Sequence, residues 1–245
     1  MNNIPISNKI PELDLAIKAA QEAGNTILKI YEEGFKTFTK TDNSPVTDAD
    51  LQSNKIIKEI LSVTKHSILS EEDVDDKNRL SNDMIWIIDP LDGTSDFIDK
   101  TGEFTVMIAL IENQKPILGV IAWPTEKTLF VAQKNCGAFR YSDNKWEKIS
   151  VTKISELPKC RTIGSRHHLS DKEKDFIEKI GIKDFTSIGS SLKVGKISSG
   201  QAEVYITTTN KMKEWDTAAS HCIISEAGGK MTDMLGNELT YNNEN

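Results

Sequence analysis

Apolar positions in the first part of the chain recur at helical spacing and then give way to short apolar runs. Between Pro11 and Gly34 they return every three or four residues, which predicts an amphipathic helix capped by Gly34. A second helix is predicted from Thr47 to about Val63. The runs SILS, MIWIID, FTVMIALIE, PILGVIAW and TLFVAQ follow and are typical of strands. A turn at residues 113–115 separates two of them, which predicts an antiparallel hairpin.

Beyond roughly Val151 predicted strands and helices alternate. RTIGS, DFTSIG and AEVYITT indicate strands, and SDKEKDFIEKI, SSLKVGKISSG and WDTAASHCIISEAGG indicate helices. Such alternation favours an α/β layer with parallel or mixed strands. We therefore expect an α/β protein with an α+β domain at residues 1–150, built on a largely antiparallel sheet, and an α/β domain at residues 151–245. A cleft between the two halves is the expected place for a site.

Charge and composition narrow the classes of partner. The net charge is −7 over 245 residues, and no basic cluster longer than a few residues occurs, which argues against nucleic acid as a partner. A small anionic substrate remains compatible with this charge if local cations or metal ions offset the field. No run approaches the roughly 18 apolar residues of a membrane span, so no membrane partner is expected.

Cysteine usage and the first residues predict a cytoplasmic protein. The three cysteines are scattered and lack CxxC spacing, which fits reduced thiols better than disulfides or a zinc site. MNNIPISNKIPELDL lacks the basic region and apolar stretch of a signal peptide. The sequence leaves the oligomeric state open, and a homodimer is one of the alternatives.

The run MIWIIDPLDGTSDFI ends an apolar strand in two carboxylates, Asp89 and Asp92. Burying a charge is costly unless the charge is paired or binds a metal, so this position favours a ligand site. Gly93 permits close approach of the backbone, and Thr94 supplies a hydroxyl. The alternative interpretation is a polar turn in which Asp92 caps the following helix.

Other acidic segments are ambiguous when each is taken alone. Glu71 follows the SILS strand directly, yet an acidic run is often a solvated loop. Thr47 and Asp50 have capping-box spacing before a helix. Asp216 is predicted at the N-cap of the last helix, between a bulky Trp215 and small alanines. Taken alone, a solvated loop is the better explanation of the acidic run and a helix cap that of Asp50, whereas a cap and a functional role explain Asp216 about equally well.

The segments become specific in combination. DPLDGT together with WDTAA and EAGG, preceded by SEE, resembles the magnesium-dependent, lithium-sensitive phosphatases of the inositol monophosphatase superfamily over nearly the whole chain. The resemblance implies a layered αβαβα sandwich. KTDNSPVTDAD, GSRHHLSDKE and SIGSSLKVGKISSGQAEVY are similar to the 3′(2′),5′-bisphosphate nucleotidases of the CysQ type. That similarity implies hydrolysis of the 3′-phosphate of adenosine 3′,5′-bisphosphate to AMP and phosphate.

The resemblance also implies roles for individual residues. It assigns two or three Mg²⁺ ions to Glu71, Asp89, the carbonyl of Leu91, Asp92 and Asp216. It makes Asp50 and Thr94 the catalytic pair that orients or deprotonates the attacking water. The implied substrate-binding residues are Gly93, Thr94, Arg166, Ser190, Lys193 and Asp216. Ser190 and Lys193 are expected to share one face at the start of a helix, and an exposed helix lysine is the alternative interpretation of Lys193.

One position departs from the pattern of these nucleotidases. They often carry an arginine shortly after the strand matching AEVYITT, whereas this chain has Ile206 and Thr207 there, with Lys211 and Lys213 further on. The departure bears on the substrate and leaves the metal ligands unaffected. A phosphatase for inositol phosphates or sugar bisphosphates is therefore an alternative, and a non-catalytic metal- or nucleotide-binding protein is another.

Overall fold

The computed structural model describes residues 3–41, 44–210 and 212–244. Residues 42 and 43 of the KTDNSP motif, and Lys211, lie outside these ranges. The helices are Pro11–Glu33 (α1), Asp48–Leu61 (α2), Thr94–Ile98 (α3), Asp171–Lys179 (α4), Leu192–Ser198 (α5) and Glu214–Glu226 (α6). The strands are Thr37–Thr39 (β1), Pro45–Thr47 (β2), Ser67–Ser70 (β3), Met84–Asp92 (β4), Thr105–Glu112 (β5), Lys115–Trp123 (β6), Thr128–Gln133 (β7), Gly137–Ser142 (β8), Lys145–Ile149 (β9), Arg161–Ser165 (β10), Asp184–Ile188 (β11) and Val204–Tyr205 (β12).

Strands β3 to β9 form one sheet in the order of the sequence. β3 and β4 are parallel, and every later neighbour in this sheet is antiparallel. The predicted hairpin is confirmed: β5 and β6 are joined by Asn113 and Gln114, both with positive φ, as a tight two-residue turn requires. Strands β8 and β9 were not predicted, because their charged and half-exposed residues give no apolar run.

Helices cover both faces of this sheet and a second sheet completes the layers. The alanine-rich face of α1 packs with α2 and one side of the sheet in a single apolar core. The other side packs against α6, and α5 lies beside α6. The parallel strands β11, β10 and β12 form the next layer, with α4 beyond them. The predicted α/β fold with αβαβα layers is confirmed.

Helix α6 lies unusually close to the sheet at Gly119. A Cβ atom at this glycine would lie 2.5 Å from the carbonyl oxygen of Ala219 in α6. The missing side chain, opposite the small residues Ala218 and Ala219, therefore lets α6 sit directly on β6. This contact joins a helix from the second half of the chain to the first sheet, and the division near residue 150 stays a prediction.

Element boundaries differ from the predictions at three places. AEVYITT forms a strand only at Val204–Tyr205. Helix α5 begins at Leu192, after Ser190, and α6 begins at Glu214 with Lys213 as its N-cap residue. The prediction of Asp216 as an N-cap is therefore wrong, because Asp216 lies in the first turn. Among the described residues no helix combines the length and the hydrophobicity needed to cross a membrane.

Candidate active site

Three carboxylates from two distant parts of the chain meet at one end of the first sheet. Strand β4 supplies Asp89 and Asp92, and the first turn of α6 supplies Asp216. One oxygen from each of these carboxylates lies within 4.8 Å of the others. Carboxylate oxygens at this spacing can share a divalent cation. Within the described part of the chain, these residues form the acidic group best placed to hold a metal ion.

A register shift in β4 places two of these side chains together. Residues three apart on a regular strand point to opposite faces of the sheet. Asp89 pairs with Met107 and Asp92 with Thr105, so β4 contains one more residue than β5 across this interval. The bulge at Pro90 and Leu91 reorients the end of the strand. Asp89 and Asp92 can therefore both face the start of α6.

The positive charges near the carboxylate cluster are too few to neutralise its negative charge. Burial raises the pKa of Asp89 well above its usual range, and the charges of Glu71, Asp92 and Asp216 add to this effect. Burial also raises the pKa of Asp92, although the Lys193 ammonium opposes the shift. Burial raises the pKa of Asp216 to about 7, partly offset by the N–H of Lys213. Nearby positive charges do not fully compensate these carboxylates. Carboxylate oxygens are the ligands that a hard divalent cation prefers, so the residues fit a metal site.

Glu71 lies beside Asp89 and is held by a lysine. Its charge raises the pKa of Asp89, and Lys40 Nζ lies 2.8 Å from Glu71 Oε1 and 2.6 Å from Glu72 Oε1. Burial raises the pKa of Glu72 to about 7 despite this lysine. Glu72 is only 4% exposed and therefore does not lie in a solvated loop, whereas the Glu71 side chain is 26% exposed.

Asp50 serves both as a helix cap and as a partner of Thr94. Its Oδ2 accepts hydrogen bonds from the Thr47 N–H at 2.7 Å and the Thr47 hydroxyl at 2.6 Å, so the predicted capping box is confirmed. Its Oδ1 accepts from the Thr94 hydroxyl at 3.0 Å. Thr94 Oγ1 also lies 3.4 Å from the carbonyl oxygen of Leu91. Burial raises the pKa of Asp50 against these hydrogen bonds, which makes its carboxylate more basic.

Asp92 is held by the loop that precedes α5. Its Oδ2 accepts from the Ser191 N–H and, at 3.3 Å, from the Thr105 hydroxyl. The Thr105 hydroxyl in turn lies 2.7 Å from Ser191 Oγ. The N-cap of α3 is Gly93, with φ of 93°, and no side chain caps that helix. The alternative interpretation of Asp92 as a helix cap is therefore wrong.

Gly93 lets this loop approach the end of β4. A Cβ atom at Gly93 would lie 3.0 Å from Ser190 Cβ and 3.2 Å from the carbonyl oxygen of Glu103. Ser190 itself has a positive φ of 48° and lies before α5, so the predicted shared helical face with Lys193 is wrong. The two residues meet differently, because the Lys193 ammonium donates to the carbonyl of Ser190.

Lys193 is buried beside the carboxylates. Its side chain lies 5.3 Å from the ring centroid of Tyr205, and only 8% of the residue is exposed. Burial lowers the pKa of Lys193, and the charge of Asp92 opposes this shift. The interpretation of Lys193 as an exposed helix lysine is therefore wrong. A buried cation on this side of the cluster is suited to an anionic group of a substrate.

Arg166 lies at the end of β10 and is already paired. Its guanidinium lies 3.2 Å from Asp96 Oδ1 and 2.5 Å from Glu103 Oε2. Glu103 also accepts the N–H of Gly189 at 2.7 Å. Arg166 thus links α3 to the loop that carries Ser190 and has little unbalanced charge for a ligand.

Sequence reasoning missed several residues that shape the site: Lys40, Glu103, Thr105, Ser191 and Tyr205. Lys40 falls in the KTDNSP motif and could have been singled out there. The other residues act through contacts with parts of the chain that are distant in sequence. No local pattern marks them.

The raised pKa values predict how stability depends on pH and on divalent cations. Carboxyls with a higher pKa in the folded state bind protons more tightly when folded, so the metal-free protein should lose stability as pH rises from about 4 through about 7, the pKa of Asp216. Each titrating group contributes at most about 1.4 kcal/mol per pH unit to this loss. Millimolar Mg²⁺ should reverse it, since the cation binds the ionised carboxylates.

Urea unfolding at about pH 5 and about pH 8, in EDTA or Mg²⁺, measures this linkage. Mg²⁺ should increase the free energy of unfolding much more at the higher pH. The Asp216→Asn variant is the matched control and should show a weaker pH dependence in EDTA. An equal effect of Mg²⁺ at both pH values would contradict a metal site in these carboxylates.

Comparison with known proteins relates nearly the whole chain to one family. The model of the inositol monophosphatase family matches residues 10–245. The 3′(2′),5′-bisphosphate nucleotidase CysQ of Shigella flexneri is 36% identical over 238 residues, covering 94% of this chain and 93% of the relative. The match therefore includes every carboxylate of the cluster.

Solved structures with the same fold include a CysQ protein and an IMPase. The crystal structure of CysQ from Bacteroides thetaiotaomicron aligns with a TM-score of 0.83 and 35% identity, covering 96% of this chain and 93% of that chain. The Thermotoga maritima IMPase aligns with a TM-score of 0.82 and 27% identity, covering 94% and 89% respectively. The chain is thus similar in fold to both and more similar in sequence to the CysQ protein.

Proposed function

The chain belongs to the inositol monophosphatase family and is a phosphatase, and on this premise we propose that it is a Mg²⁺-dependent 3′(2′),5′-bisphosphate nucleotidase. Its reaction would be the hydrolysis of the 3′-phosphate of adenosine 3′,5′-bisphosphate to AMP and phosphate. The observation that carries the proposal is the carboxylate cluster of Asp89, Asp92 and Asp216 beside the buried cation Lys193. The similarity to CysQ nucleotidases over 94% of the chain supports the substrate.

Two or three Mg²⁺ ions would be held by the acidic cluster. Glu71, Asp89 and the carbonyl of Leu91 would hold one ion, and Asp89, Asp92 and Asp216 the second. Divalent ions bound there would lower the pKa of a water molecule and neutralise the charge that develops on the phosphate and its leaving oxygen. The protein provides oxygen ligands of the type that Mg²⁺ prefers.

Asp50 and Thr94 would handle the proton of the attacking water. The Thr94 hydroxyl donates to Asp50 Oδ1, which leaves the hydroxyl oxygen able to accept a hydrogen bond from water. As the water oxygen attacks phosphorus, its proton can pass through Thr94 to Asp50, whose raised pKa favours uptake. The bond between phosphorus and the ribose 3′-oxygen breaks, and this oxygen leaves with the bonding electron pair and takes up a proton from solvent water to give AMP. The N–H groups of Gly93 and Thr94 would contact the scissile phosphate.

Residues of the second sheet and α5 would bind the rest of the nucleotide. Lys193 is the strongest candidate for an anionic group, because its ammonium is buried next to the cluster. Ser190 lies between Lys193 and Gly93 and could contact the ribose or a phosphate. The Arg166 guanidinium already pairs with Glu103 and Asp96, so a substrate anion would bind to it only in addition to these carboxylates. Lys213, exposed at the start of α6, is a candidate to replace the arginine that this chain lacks near Thr207.

A substrate panel tests this proposal directly. With Mg²⁺, the purified protein should release phosphate from adenosine 3′,5′-bisphosphate with a kcat/KM at least about 10-fold above that for inositol 1-phosphate, a difference of about 1.4 kcal/mol in transition-state binding. EDTA should abolish the release. Equal or reversed preference would favour an inositol phosphatase, an alternative that the likeness to the Thermotoga maritima IMPase supports. Binding without any turnover would favour the non-catalytic alternative.

We also propose a cytoplasmic location. The described cysteines Cys136, Cys160 and Cys222 are free thiols, and two of them are buried, as suits a reducing compartment. A homodimer stays a prediction, which sedimentation of the purified protein would test.

A further inference from the structure

A polar network outside the carboxylate cluster ties the last described residues to the segment after Glu71. Arg79 lies in the short helical turn Lys77–Ser81, and its side chain is only 1% exposed. Its guanidinium donates to both oxygens of Asp75, at 2.7 and 2.9 Å. It also donates to Asn242 Oδ1 at 2.8 Å and to the carbonyl of Asn243 at 3.1 Å. The guanidinium thus joins two segments that are distant in sequence.

The same residues bind the start of α6. Glu214, the first residue of α6, accepts the N–H of Asn242 and the N–H of Asn243, both at 2.8 Å. It also accepts the side-chain amide of Asn243 at 2.9 Å. Asp216 follows Glu214 by two residues on the same helical turn. Residues 242 and 243 therefore bridge Arg79 on one side and the ligand-bearing end of α6 on the other.

Packing alone does not explain this network. Tyr241, 1% exposed, already packs in the apolar core that α6 shares with the first sheet, and its hydroxyl lies 3.1 Å from His221 Nδ1. A buried guanidinium is costly unless each of its donors is paired, and such networks are retained where they fix one arrangement of the chain. Here the arrangement is the position of α6 relative to the segment that begins at Glu71.

We propose that Arg79, Asn242 and Glu214 are positioning residues for the metal site, an inference that rests on the proposed function. Asp89 and Asp92 are fixed by the hydrogen-bonded ladder of β4. Glu71 continues the pairing of β3 with β4, because its N–H donates to the carbonyl of Ile88 at 3.3 Å, whereas Asp216 lies on α6, outside the sheet. The network holds the start of α6 against the segment that continues from β3, so that the Asp216 carboxylate meets Asp89. Partners behind metal ligands typically change metal affinity by 10- to 100-fold when removed.

Two substitutions break the network without removing a ligand. Asn242 has a positive φ of 63°, so Asn242→Gly keeps the backbone conformation and the N–H that binds Glu214. It loses the side-chain contacts with Arg79 and leaves only the bond from Arg79 to the carbonyl of Asn243. Glu214→Gln has the same size but only one acceptor oxygen for the donors of residues 242 and 243. Lys77→Ala is the matched control, because Lys77 makes an exposed ion pair with Glu244 in the same two segments.

Mn²⁺ binding without substrate, followed by electron paramagnetic resonance, provides a readout separate from turnover. In Asn242→Gly and Glu214→Gln the Kd for Mn²⁺ should rise about 10-fold. Lys77→Ala should stay within about twofold of wild type, since an exposed pair contributes little. The Mg²⁺ concentration for half-maximal activity should rise in parallel, while kcat at saturating Mg²⁺ stays near that of the wild-type protein.

Wild-type Mn²⁺ affinity in both network variants would overturn the inference, even if their thermal stability fell, because the network would then be only structural. Loss of the folded state in both variants, judged by circular dichroism, would overturn it too. These results leave the proposed function intact. A wild-type protein that binds no Mn²⁺ and releases no phosphate would instead contradict the proposed function, and the inference with it.

Discussion

Replacing Asp92 with asparagine should leave the fold intact and remove most of the phosphatase activity. Asparagine keeps one side-chain oxygen to accept the Ser191 N–H, so the loop before α5 stays in place. It removes a negative charge from the cluster and places an amide where a cation would bind. A loss of about 3 kcal/mol of transition-state stabilisation lowers kcat by more than about 100-fold. Phosphate release under saturating Mg²⁺ measures the effect.

Asp99→Asn is the matched control for this substitution. Asp99 follows α3 closely in sequence, its side chain is 58% exposed, and it takes no part in the cluster. Its variant should retain wild-type kcat. Thermal unfolding of both variants separates loss of activity from loss of structure. Full activity in a folded Asp92→Asn protein would remove Asp92 from the metal site.

Replacing Asp50 with asparagine should lower kcat by about 100-fold or more, the range expected for loss of a general base. The asparagine oxygen can still accept the hydrogen bonds from Thr47, so the cap of α2 and the fold survive. The amide cannot take up a proton from Thr94. Because Asp50 does not belong to the cluster of Asp89, Asp92 and Asp216, affinity for Mn²⁺ should change little.

Thr94 provides a paired test of the same proton path. Thr94→Ser retains the hydroxyl that donates to Asp50, whereas Thr94→Val has nearly the same shape without it. Only the valine variant should lose activity to the extent of Asp50→Asn, and the double variant should be no slower than either single one. Equal activity of the serine and valine variants would contradict the proton path. If the Asp50→Asn protein unfolded, the result would indicate that Asp50 serves to cap α2 and not to accept a proton.

Local patterns were sufficient to predict most elements of the fold. The apolar spacing of α1, the two-residue turn between β5 and β6, and the Thr47–Asp50 capping box each depend on residues within a few positions of one another. Helix periodicity, turn chemistry and capping are short-range effects, so they can be recognised directly in the sequence. β8 and β9 were missed because half-exposed strands near the edge of a sheet lack an apolar run.

The roles of individual site residues depended on contacts that no local pattern contains. From the sequence alone, Asp50 is predicted to cap a helix. Its second oxygen accepts a hydrogen bond from Thr94 only because α2 packs against the end of β4. An exposed lysine was one interpretation of Lys193 from the sequence. Its burial follows from the packing of α5 beside Tyr205. Arg166 was predicted to bind substrate, but in the structure its positive charge is already paired with Asp96 and Glu103.

The sequence by itself determined the family, the layered α/β fold and the set of acidic residues, because motifs and periodicities are properties of neighbouring positions. Only the tertiary structure decided how these residues work together. The register shift in β4 orients Asp89 and Asp92, and the close approach of α6 at Gly119 brings Asp216 to them. The register shift depends on backbone pairing with β5, and the approach of α6 depends on packing between Gly119 and Ala219, 100 residues apart in the chain. A local pattern cannot encode either contact.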